Sequence, residues 1–301
     1  MRPKLVTLAL LLVFGALSSG ADAANAQVRL AAPEDCLTNP NCGVGLRASY
    51  GVDVSSVFVP LAVADAGVTA LDDGIAEVAV AFSSSPAVSR PDVLTLRDDL
   101  GMVGEDHVVP VIRKGLLRRY GRRARDIRRH LDAASRELGT LDLRRLNQQL
   151  EDGRLEAAVG AEFIDANGLA GGGKRKRGPR ITVGYMDFAE DTMLAHLYAE
   201  ALRSNGYKVR VRAVGGLRRE AVAAMRTKKI DLWPGYSGSL REYLGKGSRK
   251  SLASLLRPIG ARALRKAPAE DKNLFVMKRD VAAQPGIGKL SDLKPQWPAA
   301  G

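Results

Sequence analysis

Residues that could perform catalysis are few and scattered in this 301-residue sequence. An enzyme needs a nucleophile with a base and an orienting group, or a cluster of metal ligands. The histidines His107, His130 and His196 lie far apart, and neither a G-x-S-x-G nor an H-E-x-x-H motif occurs. Residues 245–248 (G-K-G-S) are similar to the end of a phosphate-binding loop, but a glycine separates the lysine from the serine and no strand directly precedes them. The sequence therefore predicts no enzyme, no metal site and no cofactor.

The composition indicates a folded protein of about two domains. At roughly 150 residues per domain, this length suggests two. Hydrophobic residues make up 46% of the chain, which can fill a core and excludes intrinsic disorder. A small disulfide scaffold is excluded because there are only two cysteines, and a multi-pass membrane protein because there is no second long apolar run.

Residues 1–26 have the order of a secretory signal peptide. Arg2 and Lys4 precede an apolar stretch over 5–17, and the small residues of 21–26 follow it. The alternative is an uncleaved anchor helix, but roughly thirteen apolar positions are short for a bilayer of about 30 Å. We expect cleavage after Ala23 or Ala26 and a mature chain that is periplasmic or secreted.

The cysteines Cys36 and Cys42 are six positions apart. Two thiols with no histidine beside them make a poor metal site. In an oxidising compartment they are expected to form a disulfide. Closing so short a loop contributes about 2 kcal/mol by chain entropy, so the bridge would shape a loop rather than hold the fold together.

Alternating apolar patterns predict an α/β protein. Strands are expected at 57–61, 77–82 and 108–112, and about three helices between 114 and 167. From residue 181 a repeated β-α-β pattern predicts a parallel sheet, with strands at 181–184, 207–214 and 230–233. Ligands bind at the carboxyl ends of such strands, which makes the loops 184–190 and 233–239 the first candidates for a site.

Residues 170–180 separate these two parts of the chain. They are rich in glycine, lysine and arginine and have no apolar periodicity. This pattern is typical of a flexible, solvated linker. Its K-R-K-R run is similar to a nuclear localisation signal, but a secreted chain does not follow that route.

Several segments form a set in compatible spacing. Those after the linker are I-T-V-G-Y-M-D-F-A-E from 181, I-D-L-W-P-G-Y-S-G-S-L from 230 and A-P-A-E-D-K-N-L-F-V from 267; those before it are P-E-D-C-L-T-N-P-N-C from 33, A-F-S-S-S-P-A-V from 81 and V-V-P-V-I-R-K from 108. They resemble the first and second halves, respectively, of glycine betaine/choline-type (osmoprotectant) substrate-binding proteins of ABC transporters. The halves are therefore in inverted order. Circular permutation explains this order, and a piece of a tandem pair of binding proteins is the alternative.

The resemblance implies a two-lobed α/β fold of the periplasmic-binding-protein type (type II-like), circularly permuted. Lobe 1 would span 108–271 and contain the linker. Lobe 2 would combine 27–107 with 272–301. The two crossings, near 106–109 and 271–274, would form the hinge, with the binding site in the cleft between the lobes.

The resemblance also implies aromatic faces that hold a quaternary ammonium, a cation that cannot donate strong hydrogen bonds. By motif position Tyr236 matches a tyrosine of the aromatic cage that surrounds the ligand in this family. Phe82 falls where some members have an aromatic residue. The further residues expected to bind the ligand are Tyr185, Asp187, Trp233, Asn39, Ser83, Asp106 and Asn273. For Trp233 and Phe82 the alternative is packing inside their lobes.

Departures from the family pattern argue against simple betaine binding. Met186 stands where many members have lysine, and Asn39 where an arginine often meets a ligand carboxylate. Other cage tyrosines of some relatives are replaced here by Asn273, Asp106 and His107. Weak binding of glycine betaine is therefore expected. Asp187, Glu190 and Asp106 could neutralise a cation instead, although Asp187 or Glu190 could also cap the following helix.

The basic excess is concentrated in residues 113–129, where many arginines accompany a single acid, Asp126. One interpretation is a solvated helix face. The other is attraction to an anionic membrane surface or an acidic partner.

The sequence analysis leads to two hypotheses. The first is an extracytoplasmic, monomeric solute-binding protein that captures a small osmoprotectant-like ligand and delivers it to an ABC permease in the membrane, with no nucleic-acid partner. The second is a receptor or scaffold of the same architecture without high-affinity transport function.

Overall fold

The computed structural model of the chain describes residues 27–62, 66–172, 174, 176, 178–283 and 286–301. The signal peptide expected over 1–26 lies outside them. The strands are β1 (Leu30–Pro33), β2 (Phe58–Leu61), β3 (Val78–Phe82), β4 (Val93–Thr95), β5 (Val108–Arg113), β6 (Ile181–Tyr185), β7 (Val209–Ala213), β8 (Leu232–Tyr236), β9 (Ala261–Ala263) and β10 (Asn273–Lys278). The helices are α1 (Gly43–Gly45), α2 (Gly67–Asp72), α3 (Lys114–Tyr120), α4 (Ala124–Glu137), α5 (Thr140–Glu151), α6 (Glu156–Ala166), α7 (Ala189–Arg203), α8 (Arg218–Arg226), α9 (Ser237–Gly245), α10 (Leu252–Leu256) and α11 (Arg279–Ala283). Among the described helices, none combines the length and apolarity that crossing a membrane requires.

Two five-stranded sheets, each covered by helices, confirm the predicted two-lobed α/β fold. The sheet of lobe 2 has the order β2-β1-β3-β10-β4, and that of lobe 1 the order β7-β6-β8-β5-β9. We keep the names lobe 1 and lobe 2 for these sheets with their helices. Strand β10 joins lobe 2 from the far end of the sequence and pairs antiparallel with β3 and β4.

The sheet of lobe 1 is mixed rather than parallel. Strands β6, β7 and β8 are parallel, as the β-α-β pattern predicts. Strand β5 runs antiparallel to both β8 and β9, however. The chain enters β5 directly from lobe 2 and not through a crossover helix, so its direction could not be derived from the local pattern.

Four helices, α3 to α6, occupy the region where about three were expected. The additional break falls after α3, where Gly121 has a φ of 53° that residues with a side chain avoid. Helix α6 packs closely on α7, because a Cβ on Gly160 would come within 2.7 Å of the Leu197 backbone nitrogen. Helix α6 therefore lies directly against the middle of α7.

In lobe 2, a disulfide joins Cys36 to Cys42, with their Cα atoms 5.1 Å apart. Both cysteines are buried and pack in the lobe 2 core beside Leu46 and Phe275. The bridge therefore holds the loop that follows β1 against the sheet.

Two residues of the linker, Lys176 and Pro179, contact lobe 1, while its other described residues are exposed. Lys176 forms an ion pair with Asp126 and lies 4.7 Å from the centre of the Tyr207 ring. Tyr207 donates a 2.7 Å hydrogen bond to the same carboxylate, and Tyr120 donates one of 2.5 Å to the Pro179 carbonyl. Composition predicted a solvated linker, but it does not show which basic side chains contact the folded lobe.

Asp126→Asn is expected to speed tryptic cleavage between residues 174 and 178 roughly five- to thirtyfold, since losing one charge-assisted hydrogen bond costs about 1–2 kcal/mol of local stability. Burial alone would raise the pKa of Asp126, but hydrogen bonds from Lys176 and Tyr207 outweigh it and hold the pKa well below its usual range. The protection is thus present above the unfolded-state pKa and is lost as the pH falls. Digestion of both proteins, followed by electrophoresis, measures the effect.

Asp165→Asn, on the exposed side of α6, is the matched control and should leave the cleavage rate unchanged. The two fragments should stay associated after cleavage, because β5 on one fragment pairs with β8 on the other. Fragments that separate, or equal cleavage rates for both variants, would contradict this prediction.

Candidate functional site

The end of strand β8 places Tyr236 where lobe 1 meets the crossing from lobe 2. All residues of β8 are buried, and Tyr236 pairs with Val108, the first residue of β5. The next residue, Ser237, donates its backbone N–H to the His107 carbonyl at 2.8 Å. Tyr236 is therefore anchored beside the hinge, with 4% of its surface exposed.

Carboxylates surround the Tyr236 phenol. Its Oη donates a 2.5 Å hydrogen bond to Glu190 Oε1, on the first turn of α7. Burial, together with the nearby charges of Glu190, Asp191 and Asp271, raises the pKa of Tyr236 well above its ordinary value. The phenol therefore stays protonated and donates, and the negative potential around its ring suits a cation. We call Tyr236, Glu190, Asp191 and Asp271 the acidic cluster.

Hydrogen bonds connect this cluster to lobe 2. Asn147 on α5 donates through Nδ2 to Glu190 Oε2 at 2.5 Å and to the Ser84 carbonyl at 3.0 Å. Ser84 Oγ in turn donates to Asp271 Oδ1 at 2.7 Å. A substitution at Tyr236 or Glu190 would therefore alter hydrogen bonds that extend to the loop after β3 in lobe 2.

Asp191 is fully buried at the N-terminal end of α7. Burial raises the pKa of this carboxyl well above its ordinary value, although the N–H of Met186 and the indole of Trp233 act in the opposite direction. Oδ2 accepts the Met186 N–H at 2.5 Å, while Oδ1 has no hydrogen-bond partner among the described residues. Asp191 thus holds the loop after β6 in place.

Three predicted site residues of lobe 2 line one cavity of about 100 Å³. Asn39, Phe82 and Asn273 surround it together with the cysteines of the disulfide. The Asn39 side chain bonds within its own loop, accepting the Asn41 N–H at 2.9 Å, and Asn273 Nδ2 donates to the Asn41 carbonyl at 3.3 Å. Pockets for small molecules commonly exceed about 300 Å³, so this cavity could take only one end of a ligand.

Two further predicted residues perform structural roles where the chain crosses between the lobes. Asp106 Oδ1 accepts the backbone N–H groups of Gly238 and Ser239, at 2.7 and 3.1 Å, and so caps α9. Burial nevertheless raises the pKa of Asp106. Ser83 Oγ donates to the Glu270 carbonyl at 2.8 Å and accepts the Lys272 N–H at 3.0 Å. Both side chains therefore fix the crossings between the lobes.

The remaining predicted residues lie apart from the cluster and the cavity. Trp233 packs in a core of lobe 1 with Val111 and Leu240. Asp187 is exposed in the loop after β6, and Tyr185 is half-buried against the other core of the lobe. Of the nine residues predicted from the sequence, the structure thus brings Asn39, Phe82 and Asn273 together and puts Tyr236 in a separate cluster.

Sequence reasoning did not single out Asn147 or Ser84 as parts of the site. Ser84 lies within the A-F-S-S-S motif, which was a signal for it. Asn147 lies within a helix and carries no motif, so only the packing of α5 between the lobes shows its position. No group of three or more histidine, cysteine or acidic side chains in the described parts of the chain could hold a metal ion.

A comparison with known protein families relates the chain to a transport system. The sequence model of a family described as the substrate-binding domain of the ABC-type glycine betaine transport system matches residues 16–166 and 179–299. A search of curated proteins gave no match.

Several solved structures are similar in fold. One is the phosphate-binding protein of a phosphate ABC transporter from Streptococcus pneumoniae TIGR4, with 10% identity and a TM-score of 0.45 over 85% of this chain and 90% of that one. Another is PhnD1 from Prochlorococcus marinus in complex with methylphosphonate, with 15% identity and a TM-score of 0.42 over 89% and 82% of the two chains.

Proposed function

The chain belongs to the family of substrate-binding domains of ABC-type glycine betaine transport systems, and on this basis we propose that it captures a small quaternary ammonium, or a related cation or zwitterion, between its two lobes. Substrate-binding proteins of ABC importers act outside the cytoplasm and do not transform what they bind. We further propose that the chain is exported through a signal peptide, acts as a monomer and delivers its ligand to a membrane permease. We propose no nucleic-acid partner.

The observation that carries the proposed ligand class is the acidic cluster. A buried phenol ring contributes about 0.5–2 kcal/mol to binding of a cation at its face. Here the Tyr236 phenol donates a hydrogen bond to Glu190, and the carboxyl groups of Asp191 and Asp271 lie nearby. Opposite charge in a water-poor site favours a cation further. Asn39, where many relatives have arginine, would give a ligand carboxylate a weaker partner, which favours cations over betaines.

A second candidate function rests on the direct contacts between the lobes. Arg144 on α5 donates from Nε to the Ser83 carbonyl at 2.7 Å, and Asn147 bonds Ser84. Contacts of this kind hold the two lobes together directly. They favour the receptor or scaffold hypothesis, in which the lobe pair serves a partner protein.

The inverted order of the halves is proposed to be a circular permutation. In the family order, the segment similar to 290–295 runs directly into the one similar to 28–36. The structure supports this proposal through contacts between the corresponding parts: Trp297 Nε1 donates to the Val28 carbonyl at 2.9 Å, and Val52 bridges with Ala299. A short connection could therefore join them.

A thermal-shift screen of the exported protein with choline, glycine betaine, carnitine and amino acids tests the proposed function. A ligand at 100 times its Kd adds about 2.7 kcal/mol to the free energy of unfolding. For a chain of this size we expect choline or a similar cation to raise the Tm by roughly 5–10 °C. A shift only with neutral or anionic compounds would contradict the ligand class, and no shift with any compound would favour the receptor or scaffold.

A further inference from the structure

A concave basic surface lies on lobe 1, at the end of the sheet away from Tyr236. It is bounded by the start of α3, the end of α8 and the turn before β9, and it encloses about 320 Å³. Its lining includes Arg113, Arg118, Arg226, Lys228, Met225 and Ile259. We call this surface the basic groove. Tyr236 pairs with the first residue of β5 and Arg113 is the last, so roughly 17 Å of strand, at about 3.4 Å per residue, separates the groove from the acidic cluster.

The positive charge of the groove is only partly compensated. Arg113 Nη2 forms an ion pair with the buried Asp231, which also accepts a 3.0 Å hydrogen bond from Arg119. Arg113 Nε is buried and has no hydrogen-bond partner among the residues that the structure describes. In the described parts of the chain, no carboxylate pairs with the other three cations of the groove. Like charges held around one concavity create a positive potential that attracts anions.

The arginine and lysine side chains of the groove favour phosphate over other anions. Guanidinium groups match phosphate oxygens in planar, bidentate pairs, and a lysine adds a point charge. A phosphate group carries up to two negative charges and has more acceptor oxygens than a carboxylate, so it can neutralise more of these cations at once. Met225 and Ile259 provide an apolar part of the lining for the organic remainder of a ligand, and the volume is at the lower end of the range for small-molecule pockets.

We propose that the basic groove binds the phosphate group of a phosphorylated ligand. Two sources share this chemistry: the headgroup of an anionic phospholipid, and a soluble phosphate compound. The site is independent of the proposed ligand site, because the two lie at opposite ends of the lobe 1 sheet.

The test compares two double variants of the full protein. Arg226→Gln/Lys228→Gln removes two exposed cations of the groove. Arg241→Gln/Lys246→Gln is the matched control: it removes the same charges from α9 and from its C-cap, where Lys246, like Lys228, has a positive φ. Both variants keep Asp231 and Arg113, and equal thermal stability shows that both are folded.

Binding is measured to vesicles of phosphatidylglycerol and phosphatidylcholine, to vesicles of phosphatidylcholine alone, and to pyrophosphate by calorimetry. Each lysine or arginine near an anionic surface contributes about fivefold to binding, so the groove variant should lose roughly twentyfold and the control little. Raising the salt concentration should weaken binding of the unmodified protein.

The outcomes separate the sources and the alternatives. If Arg226→Gln/Lys228→Gln weakens binding only to the vesicles that contain phosphatidylglycerol, the source is a lipid headgroup. If it weakens binding only to pyrophosphate, the source is a soluble phosphate compound. Equal losses for both variants would mean that the net charge of the protein and not the groove attracts anions, which overturns the proposal. Binding to neither probe also overturns it.

Discussion

Replacing Asp231 by alanine is expected to lower the free energy of unfolding by about 3–5 kcal/mol, because it leaves a largely buried arginine without its partner. Asp231 Oδ1 accepts hydrogen bonds from Arg113 and Arg119, and Oδ2 accepts the Thr182 N–H at 3.1 Å. Only 7% of the Asp231 side chain and 13% of the Arg113 side chain is exposed. The alanine variant thus loses the negative charge that pairs with Arg113 of β5. It also loses the acceptor of the Thr182 N–H of β6.

Urea denaturation followed by circular dichroism measures this loss. Glu162→Ala is the control, because its ion pair with Arg154 is between half-exposed side chains and should contribute at most about 1 kcal/mol. Asp231→Asn keeps an acceptor for the Thr182 N–H and should fall between the two. Equal losses for Asp231→Ala and Glu162→Ala would show that the buried ion pair does not stabilise lobe 1 as argued.

Replacing Tyr236 by leucine is expected to weaken binding of the best cationic ligand by roughly 1–2 kcal/mol, or about five- to thirtyfold in Kd, because the aromatic face is lost. The structure corrects an expectation that bears on this design. The sequence predicts Tyr236 within the loop 233–239, yet it is the last residue of β8 and is 4% exposed. Leucine keeps much of the volume, whereas alanine would leave a cavity costing about 3–5 kcal/mol.

Calorimetry with the ligand found in the screen measures the change. Tyr236→Phe keeps the ring and removes the hydrogen bond to Glu190, so it should retain most of the affinity if the ring holds the cation. Tyr243→Leu, on the exposed side of α9, is the matched control and should bind like the unmodified protein. If Tyr236→Leu binds as tightly as the control, the ligand does not contact the acidic cluster.

Local patterns in the sequence were sufficient for most of the secondary structure. Strand β3 was expected at 77–82 and lies at Val78–Phe82, and strand β6 was expected at 181–184 and lies at Ile181–Tyr185. Apolar periodicity determines which residues a strand or helix must bury, and this requirement is local. The break at Gly121 and the antiparallel direction of β5 were missed because a backbone turn and a partner strand are not visible in that periodicity.

The sequence by itself determined the α/β class through its local β-α-β pattern, and its motifs carried the resemblance that implied the two lobes, the family and a site role for Tyr236. Only the tertiary structure decided what those residues contact. Asp106 caps α9 and Ser83 fixes the hinge, while Asn147 connects Glu190 to the Ser84 carbonyl. Partners such as these are brought together from distant parts of the chain by the packing of two lobes, so their charges, burial and hydrogen bonds exist only once the chain has folded.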